Sequence, residues 1–242
     1  MGWSYTFWKD QFYSTDIKPE NFLHEYSKHF DTVEVNNTFY RVPTTSTIKN
    51  WDEQTKPGFL FSIKAPKKIT HGKLAQDNSN YLDFFFSTIS NLGPKIGPIL
   101  FQFPPHFKLS KFAELKDLIS ILPKKFRYAF EVRNKNWFTD KFFNFLHEKK
   151  IALVLGDGSW ISDINSITTD FTYFRWEGNR KQIKGTLGIV EKDRAQDIRK
   201  LGKRIQTFSE KIKIFSYFSK YYSGFPPTDA KQLLDYLSIK KK

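Results

Sequence analysis

The stretch RYAFEVRNKNWF, residues 127–138, combines an apolar strand pattern with two charged residues. Residues 128–130 and Val132 are typical of a buried strand, yet Glu131 and Arg133 lie in the same run. Because side chains alternate along a strand, residues two positions apart share one face. Burying two charges is costly unless they are paired or belong to a functional site. The stretch therefore predicts a strand whose end presents a charged pair.

Similar apolar runs recur along the chain, and they predict the fold. They cover residues 32–37, 59–66, 98–104, 127–133, 151–157, 171–176 and 213–219, and residues 2–4 resemble the stub of one more. Helical patterns fill the gaps, over residues 19–30, 45–55, 78–92, 110–121, 139–149, 194–212 and 228–238. Near-continuous apolar strands alternating with helices are typical of a parallel sheet that is covered on both faces.

About eight such units in 242 residues favour an α/β fold of the (β/α)8 TIM-barrel type over residues 1–242, in one domain. A doubly wound sheet often opens with a glycine-rich turn after its first strand, and the sequence shows none. The chain has no cysteine, which agrees with a cytoplasmic protein and excludes a disulfide framework. No apolar run is long enough to cross a bilayer, so we expect no membrane partner.

Polar residues follow the predicted strands at the end where a barrel carries its functional groups. We select Glu34, Glu131, Asp157 and His71 as candidates for acid–base chemistry. Candidates for ligand binding are Asn36, Tyr40, Lys64, Gln102, Arg133, Trp137, Arg175 and Gly224. The alternative is that the charges only pair with one another to satisfy the barrel interior.

Seven motifs in this chain resemble the YecE-like family, domain of unknown function 72. They are GWSYTFW (2–8), EVNNTFYRVP (34–43), FSIKAPKKITH (61–71), GPILFQFPP (97–105), FEVRNKNWF (130–138), YFRWEG (173–178) and YYSGFPPTDA (221–230). The resemblance implies a TIM barrel distantly related by fold to sugar isomerases, without an established reaction. This chain departs from the family pattern in two places. We expect its first strand to be short or missing, and Ser219 and Lys220 stand where the family often has two asparagines.

Several chemistries find weak support in the residues. A glycosidase needs two flanking carboxylates, but the fourth run presents Gln102. We predict no structural zinc, and a Mg²⁺ or Mn²⁺ site on Glu34, Glu131 and Asp157 has no spacing signature. Lys64 is suited to Schiff-base chemistry only if its pKa is lowered; otherwise it would form a salt bridge to Glu34 or Glu131.

The leading hypothesis is an enzyme, isomerase-like or hydrolase-like, or a binder of a small anionic polar molecule such as a phosphorylated sugar or nucleotide. Arg133, Arg175 and Lys64 would neutralise the anion, and an anion is expected near Arg175 and Gly224. The alternative is a nucleic-acid partner, because the net charge is +14 and aromatic residues follow several strands. The residues specify neither a reaction nor a cofactor.

Overall fold

Seven parallel strands form the sheets of the described part of the chain, which in the computed structural model comprises residues 1–72, 79–158, 161, 164, 166–208 and 212–239. The strands are β1 Thr32–Val35, β2 Leu60–Ile63, β3 Ile99–Gln102, β4 Tyr128–Glu131, β5 Ala152–Gly156, β6 Phe171–Trp176 and β7 Lys213–Phe218. β1 pairs with β2, and β3 to β7 form a curled sheet in sequential order. The seven predicted runs are confirmed as strands, whereas residues 2–4 are not a strand.

Helices follow the strands and cover their outer faces. The α-helices in the described residues are α1 Phe22–His29, α2 Thr45–Glu53, α3 Lys67–Thr70, α4 Ser79–Ile89, α5 Phe112–Ile121, α6 Asp140–Glu148, α7 Ala195–Gln206, α8 Lys220–Ser223 and α9 Pro226–Ile239. Thr44 and Thr139 cap α2 and α6 by accepting a hydrogen bond from a backbone N–H of the first turn. Parts of two predicted helices, at residue 78 and at 209–211, lie outside the described residues.

The alternation of side chains along the strands separates two buried clusters. Outward residues such as Phe101 and Phe130 pack in the larger core beneath the helices. Inward residues such as Ala129 and Tyr173 form a smaller cluster on the inner face of the sheet. Since residues two apart share a face, Glu131 follows Ala129 on that inner face, at the carboxyl end of its strand. The same spacing places polar groups at the end of β6.

Backbone and side-chain contacts connect the two sheets. Isolated parallel bridges join Phe61 to Ile96 and Lys64 to Leu100, between β2 and β3. On the other side, the backbone N of Met1 donates to Phe218 O at 2.8 Å and that of Gly2 donates to Glu34 O at 2.9 Å. Residues 1 and 2 therefore lie between β7 and β1, where the sequence predicted a short or missing strand.

The Tyr217 hydroxyl adds a link beneath them, 2.7 Å from both Thr32 Oγ1 and Ser62 Oγ. A hydroxyl that reaches two neighbouring strands holds β7 beside the β1–β2 pair. No helix among the described residues has the length and apolar character needed to cross a membrane.

Candidate functional site

A cavity of about 450 Å³ opens at the carboxyl ends of the strands. Its described lining is Met1, Tyr5, Asn36, Phe39, Tyr40, Lys64, Lys67, His71, Gln102, Arg133, Arg175, Glu177, Arg180, Ser219, Lys220 and Tyr221. Six of these side chains belong to Lys or Arg, and Glu177 is the acidic one. The lining combines cationic groups, amides and aromatic rings, which suits a polar ligand with a negative charge.

Arg175 is the centre of the charged groups at the base of this cavity. It lies in β6, two residues beyond the inward Tyr173, and only 4% of it is exposed. Its Nε and Nη2 donate to the two carboxylate oxygens of Glu34 at 2.9 and 3.0 Å, and its Nη1 donates to Glu131 Oε2 at 2.5 Å. The planar guanidinium thus binds one carboxylate in bidentate fashion and a second from another strand.

Arg133 completes the group from the end of β4. Its Nε donates to Glu131 Oε1 at 2.5 Å, and its Nη2 lies 3.2 Å from Glu177 Oε1. The Glu177 oxygen is also 2.5 Å from Arg175 Nη1. We call these five residues the inner layer: Glu34, Glu131, Glu177, Arg133 and Arg175. The charged pair of the opening stretch is therefore paired within itself, with Arg175 of β6 and with Glu177 just after β6.

The inner layer holds the carboxyl groups of Glu34 and Glu131 ionised. Burial opposes ionisation of Glu34, but the charge and hydrogen bonds of Arg175 outweigh it and lower the pKa of Glu34 to about 2. For Glu131, burial is likewise outweighed by Arg175 and Arg133, so its pKa is lowered. Both groups are thus deprotonated near neutral pH and have no proton to donate.

Neighbouring polar groups fix the orientation of this layer. The Tyr173 hydroxyl donates to Glu34 Oε2 at 2.8 Å, and Asn36 Nδ2 donates to Glu34 Oε1 at 2.9 Å. Asp157, after β5, accepts hydrogen bonds from the backbone N–H groups of Glu177 and Gly178 at 2.8 and 3.0 Å. Asp157 therefore holds the loop that carries Glu177, and it lies beside a second cavity, outside the lining of the first.

Lys64 lies beside the inner layer but is bound differently. Its Nζ donates to Gln102 Oε1 at 2.9 Å and lies 4.1 Å from the centroid of the Phe39 ring. Gln102 Oε1 also lies 3.2 Å from Arg133 Nη2 and 3.3 Å from Arg175 Nη1. Three cationic side chains from three strands thus converge on one neutral amide oxygen, which explains why an amide can stand at the end of β3.

Three further cations surround the opening, and we call them the rim cations: Lys67, Arg180 and Lys220. Arg180 lies 4.8 Å from the centroid of the Tyr221 ring, and Lys220 Nζ lies 5.2 Å from the same ring. Within the described residues, no carboxylate oxygen is within 4.0 Å of their cationic nitrogens. They are therefore available to an anion.

His71 lies at the opening on the same side as Lys64. Its Nδ1 is 2.9 Å from Thr70 Oγ1, and its ring meets Phe39 edge-on at 5.2 Å. Burial and then the charge of Lys64 lower the pKa of His71. The imidazole is consequently neutral near pH 7 and able to accept a proton.

Two predicted binding residues lie away from the cavity. Trp137 is fully buried, its Nε1 donates to Phe107 O at 2.7 Å, and its ring stacks on Phe107, so it belongs to the core under the loops. Gly224 ends α8 with φ 104°, in the left-handed region, and a Cβ there would approach Ile189 O to 2.7 Å. Its place in the structure follows from this backbone geometry. Tyr40 does border the cavity and is 84% exposed.

Sequence reasoning interpreted Glu177 as a loop residue and did not select Lys67 or Lys220. It named Arg180 only as a source of positive charge, with Lys181 and Lys184, in the loop after residues 171–176. Glu177 had a usable signal, since it follows Arg175 by two positions, as Arg133 follows Glu131. Lys67 and Lys220 had none, because the path of a loop decides where its side chains point. Within the described part of the chain, no three His, Asp or Glu side chains are grouped to hold a metal ion.

Comparison with known sequences places the chain among proteins without an assigned activity. The family model "Protein of unknown function DUF72" matches residues 1–242. UPF0759 protein YecE of Escherichia coli (strain K12) is 34% identical over 116 residues, 48% of this chain and 43% of YecE, so the match spans less than half of that relative. UPF0759 protein YunF of Bacillus subtilis (strain 168) is 24% identical across 95% of this chain and 91% of YunF.

Solved structures agree with this relationship at the level of the fold. A crystal structure of a DUF72 family protein from Thermotoga maritima superposes with a TM-score of 0.77 and 23% identity, covering 100% of this chain and 97% of that one. A DUF72 family protein from Enterococcus faecalis gives a TM-score of 0.76 at 20% identity, over 89% and 88% of the two chains. At these identities the likeness shows a shared fold.

Proposed function

The chain belongs to the DUF72 family of proteins of unknown function, and on that premise we propose that it binds and acts on a small anionic polar molecule in the cavity at the carboxyl ends of its strands. The observation that carries this proposal is a charge surplus. Six cationic side chains line the described cavity, against the carboxylates of Glu177 and, just behind it, of Glu34 and Glu131. The surplus of three positive charges equals the number of rim cations.

The arrangement of the two charge groups supports an anion in preference to a neutral ligand. The inner layer satisfies its own charges through hydrogen bonds, so it needs no ligand. The rim cations have no such partners among the described residues, and a bound phosphate or carboxylate would supply them. A cavity of about 450 Å³ is in the range of metabolite-sized ligands.

We also propose that the two sheets together form a barrel of the (β/α)8 type, with residues 1 and 2 in the place of the first strand. The backbone hydrogen bonds of Met1 to Phe218 and of Gly2 to Glu34 support it, as do the bridges between β2 and β3. In barrels of this type the active site lies at the carboxyl ends of the strands. The position of the cavity agrees with that rule, and we infer a cytoplasmic enzyme of the isomerase or hydrolase type.

Calorimetric titration with inorganic phosphate and ribose 5-phosphate tests the proposal. The double variant Arg180→Ala/Lys220→Ala should weaken binding by about tenfold or more, because each lost charged contact contributes about 1 kcal/mol. Lys181→Ala/Lys184→Ala is the matched control: it removes the same charge from exposed residues that do not line the cavity. Equal weakening by both pairs would show that the surface charge as a whole, and no formed site, attracts the anion.

A nucleic-acid partner is a second proposal, and the observation that favours it is the 84% exposed Tyr40 ring at the cationic opening of a chain with net charge +14. Binding of single-stranded DNA should then fall steeply with salt. Titration at increasing sodium chloride distinguishes the two, since a ligand enclosed by the cavity loses less affinity. Loss of single-strand binding in Tyr40→Ala, with phosphate binding intact, would favour the nucleic acid.

A further inference from the structure

Lys64 is held at the base of the cavity in a way that differs from every other cation of the site. It follows β2 directly, only 8% of it is exposed, and the residue nevertheless lines the cavity. The polar partner of Nζ is the amide oxygen of Gln102 at 2.9 Å, and the Phe39 ring lies 4.1 Å away. A buried amine that reaches a ligand cavity is in the position required of a nucleophile.

Among the described residues, Lys64 has no acidic partner of the kind that a structural lysine at this depth would need. The carboxylates of the inner layer are bound by Arg175 and Arg133, at 2.5 to 3.2 Å. In the described part of the chain no carboxylate oxygen lies within 4.0 Å of Lys64 Nζ. The salt bridge to Glu34 or Glu131 that the sequence offered as the alternative is therefore not formed.

This environment increases the share of the neutral amine. Burial, followed by the positive charge of Arg175, lowers the pKa of Lys64 to about 8. A Lys amine at its ordinary pKa of about 10.4 is almost wholly protonated at neutral pH. The lowered pKa increases the neutral fraction at pH 7 by more than about a hundredfold.

We propose that Lys64 forms a Schiff base with the aldehyde or ketone carbon of a small anionic substrate, a proposal that rests on the anion site described above. The neutral Nζ attacks the carbonyl carbon, and the C–N bond forms as the C=O π bond breaks. The nitrogen then loses one proton and the oxygen takes one up, which gives a neutral carbinolamine. Loss of the hydroxyl group with one further proton, as water, leaves a protonated imine. Hydrolysis by water reverses these steps and returns the free amine.

The neighbours of Lys64 suit the separate parts of this chemistry. The rim cations would hold the phosphate or carboxylate group, which leaves the carbonyl end of the molecule to reach the base of the cavity. The His71 ring meets the Phe39 ring edge-on, with the ring centroids 5.2 Å apart. Its neutral imidazole can carry a proton to or from the carbinolamine oxygen. Gln102 orients Nζ without adding a negative charge that would keep it protonated.

Reductive trapping tests the proposal on the full chain. The protein is incubated with pyruvate, glyceraldehyde 3-phosphate or ribose 5-phosphate and sodium cyanoborohydride near pH 7.5, and the modified lysine is located by peptide mass spectrometry. We expect a single stable adduct on Lys64 with at least one of these compounds. The adduct should be absent in Lys64→Arg and Lys64→Met, whose folding is checked by circular dichroism.

Gln102→Glu is the second variant, chosen because it keeps the shape of the side chain and needs no loss of Lys64. The new carboxylate beside Nζ should raise the pKa of Lys64 and slow trapping by about tenfold for each unit of that rise. Slower trapping at pH 7.5 that recovers at pH 9 would be the signature of a titrating nucleophile. A merely structural Lys64 would show neither change.

The failures are distinguishable. Absence of a Lys64 adduct with all three compounds, or equal modification of the exposed Lys181 and Lys184, overturns the Schiff base. Phosphate titration of the same wild-type samples then decides the anion site separately. If phosphate still binds and Arg180→Ala/Lys220→Ala still weakens it, the anion site stands without the Schiff base; if phosphate does not bind either, both proposals fail.

Discussion

The inner layer lies at the base of the cavity and the rim cations surround its opening, and the two groups differ in how their charges are paired. Each carboxylate of the inner layer contacts a guanidinium of Arg133 or Arg175, and Glu34 is fully buried. The rim cations are at least partly exposed and contact aromatic rings or solvent. Removing a charge from water is costly, so buried charges need fixed partners, whereas exposed ones do not. The comparison shows that charges near a cavity can have two roles. The inner layer pairs its charges within the fold, whereas the rim cations have no carboxylate partner among the described residues and can contact a ligand.

Breaking the inner layer at its centre should give the largest effect. Arg175→Met leaves Glu34 and Glu131 buried without their main partner, and we expect the free energy of unfolding to fall by about 3–5 kcal/mol. Urea denaturation followed by circular dichroism measures it. Arg180→Met, the same change at the rim, should cost less than about 0.5 kcal/mol. Comparable losses in the two variants would contradict the separation of the two groups.

Acid should weaken the inner layer through Glu34. The folded pKa of Glu34, about 2, lies below the unfolded value of about 4.3, so its ionisation stabilises the fold above pH 4.3. That contribution is lost as the pH falls from there towards about 2. Between pH 5 and 2.5 wild type should therefore lose about 2 kcal/mol more stability than Glu34→Gln, which has no titrating carboxyl.

The control for this pH series is Glu53→Gln, at an exposed position of α2. Because this side chain is exposed, its substitution should change the pH dependence of stability less than Glu34→Gln does. Parallel curves for Glu34→Gln and wild type would mean that Arg175 does not stabilise the ionised form of Glu34.

Substitution of Asp157 should have a smaller effect on stability, and it tests whether Asp157 holds the loop that carries Glu177. Asp157→Asn keeps one acceptor oxygen and loses the other, so one of the two hydrogen bonds from Glu177 N and Gly178 N is broken. We expect a loss of about 1 kcal/mol in unfolding free energy. Asp235→Asn, on the exposed side of α9, should leave stability unchanged. No change in Asp157→Asn would show that the loop after β6 is held by other contacts.

The fold and the inner layer follow from sequence periodicity, which explains what could be predicted. Apolar runs predicted all seven strands, and the spacing of two between Glu131 and Arg133 predicted that they share a face. Predictions from this periodicity do not extend beyond the end of a strand. Trp137 lies in a loop that turns back to Phe107, and only the folded chain shows that its ring joins the core.

The rim cations show the same limit of sequence-based prediction for residues outside the strands. Lysine is common along the whole chain, so Lys67 and Lys220 carry no signal that separates them from the lysines of the surface. Their place at the cavity depends on where the segments after β2 and β7 turn. Gly178 and Gly185, both with φ 66°, take part in the loop after β6, and a Cβ at either would collide with the backbone of residues 220–222. Backbone conformation therefore brings Arg180 and Lys220 to one opening.

The smallest expected effect concerns the stability of the rim itself. The three rim cations, which have no carboxylate partner among the described residues, repel one another, and this repulsion is strong only at low ionic strength. The triple variant Lys67→Ala/Arg180→Ala/Lys220→Ala should therefore be as stable as wild type at 0.5 M sodium chloride. At 20 mM it should be more stable than wild type by about 0.5 kcal/mol.

The measurement is urea denaturation at the two salt concentrations, with Lys181→Ala/Lys184→Ala as the control for exposed charge. If the triple variant is less stable than wild type at both concentrations, the rim cations support the fold and the contrast with the inner layer fails. If it is more stable only at low salt, the repulsion is a cost that the free protein carries and that an anion bound at the opening would relieve.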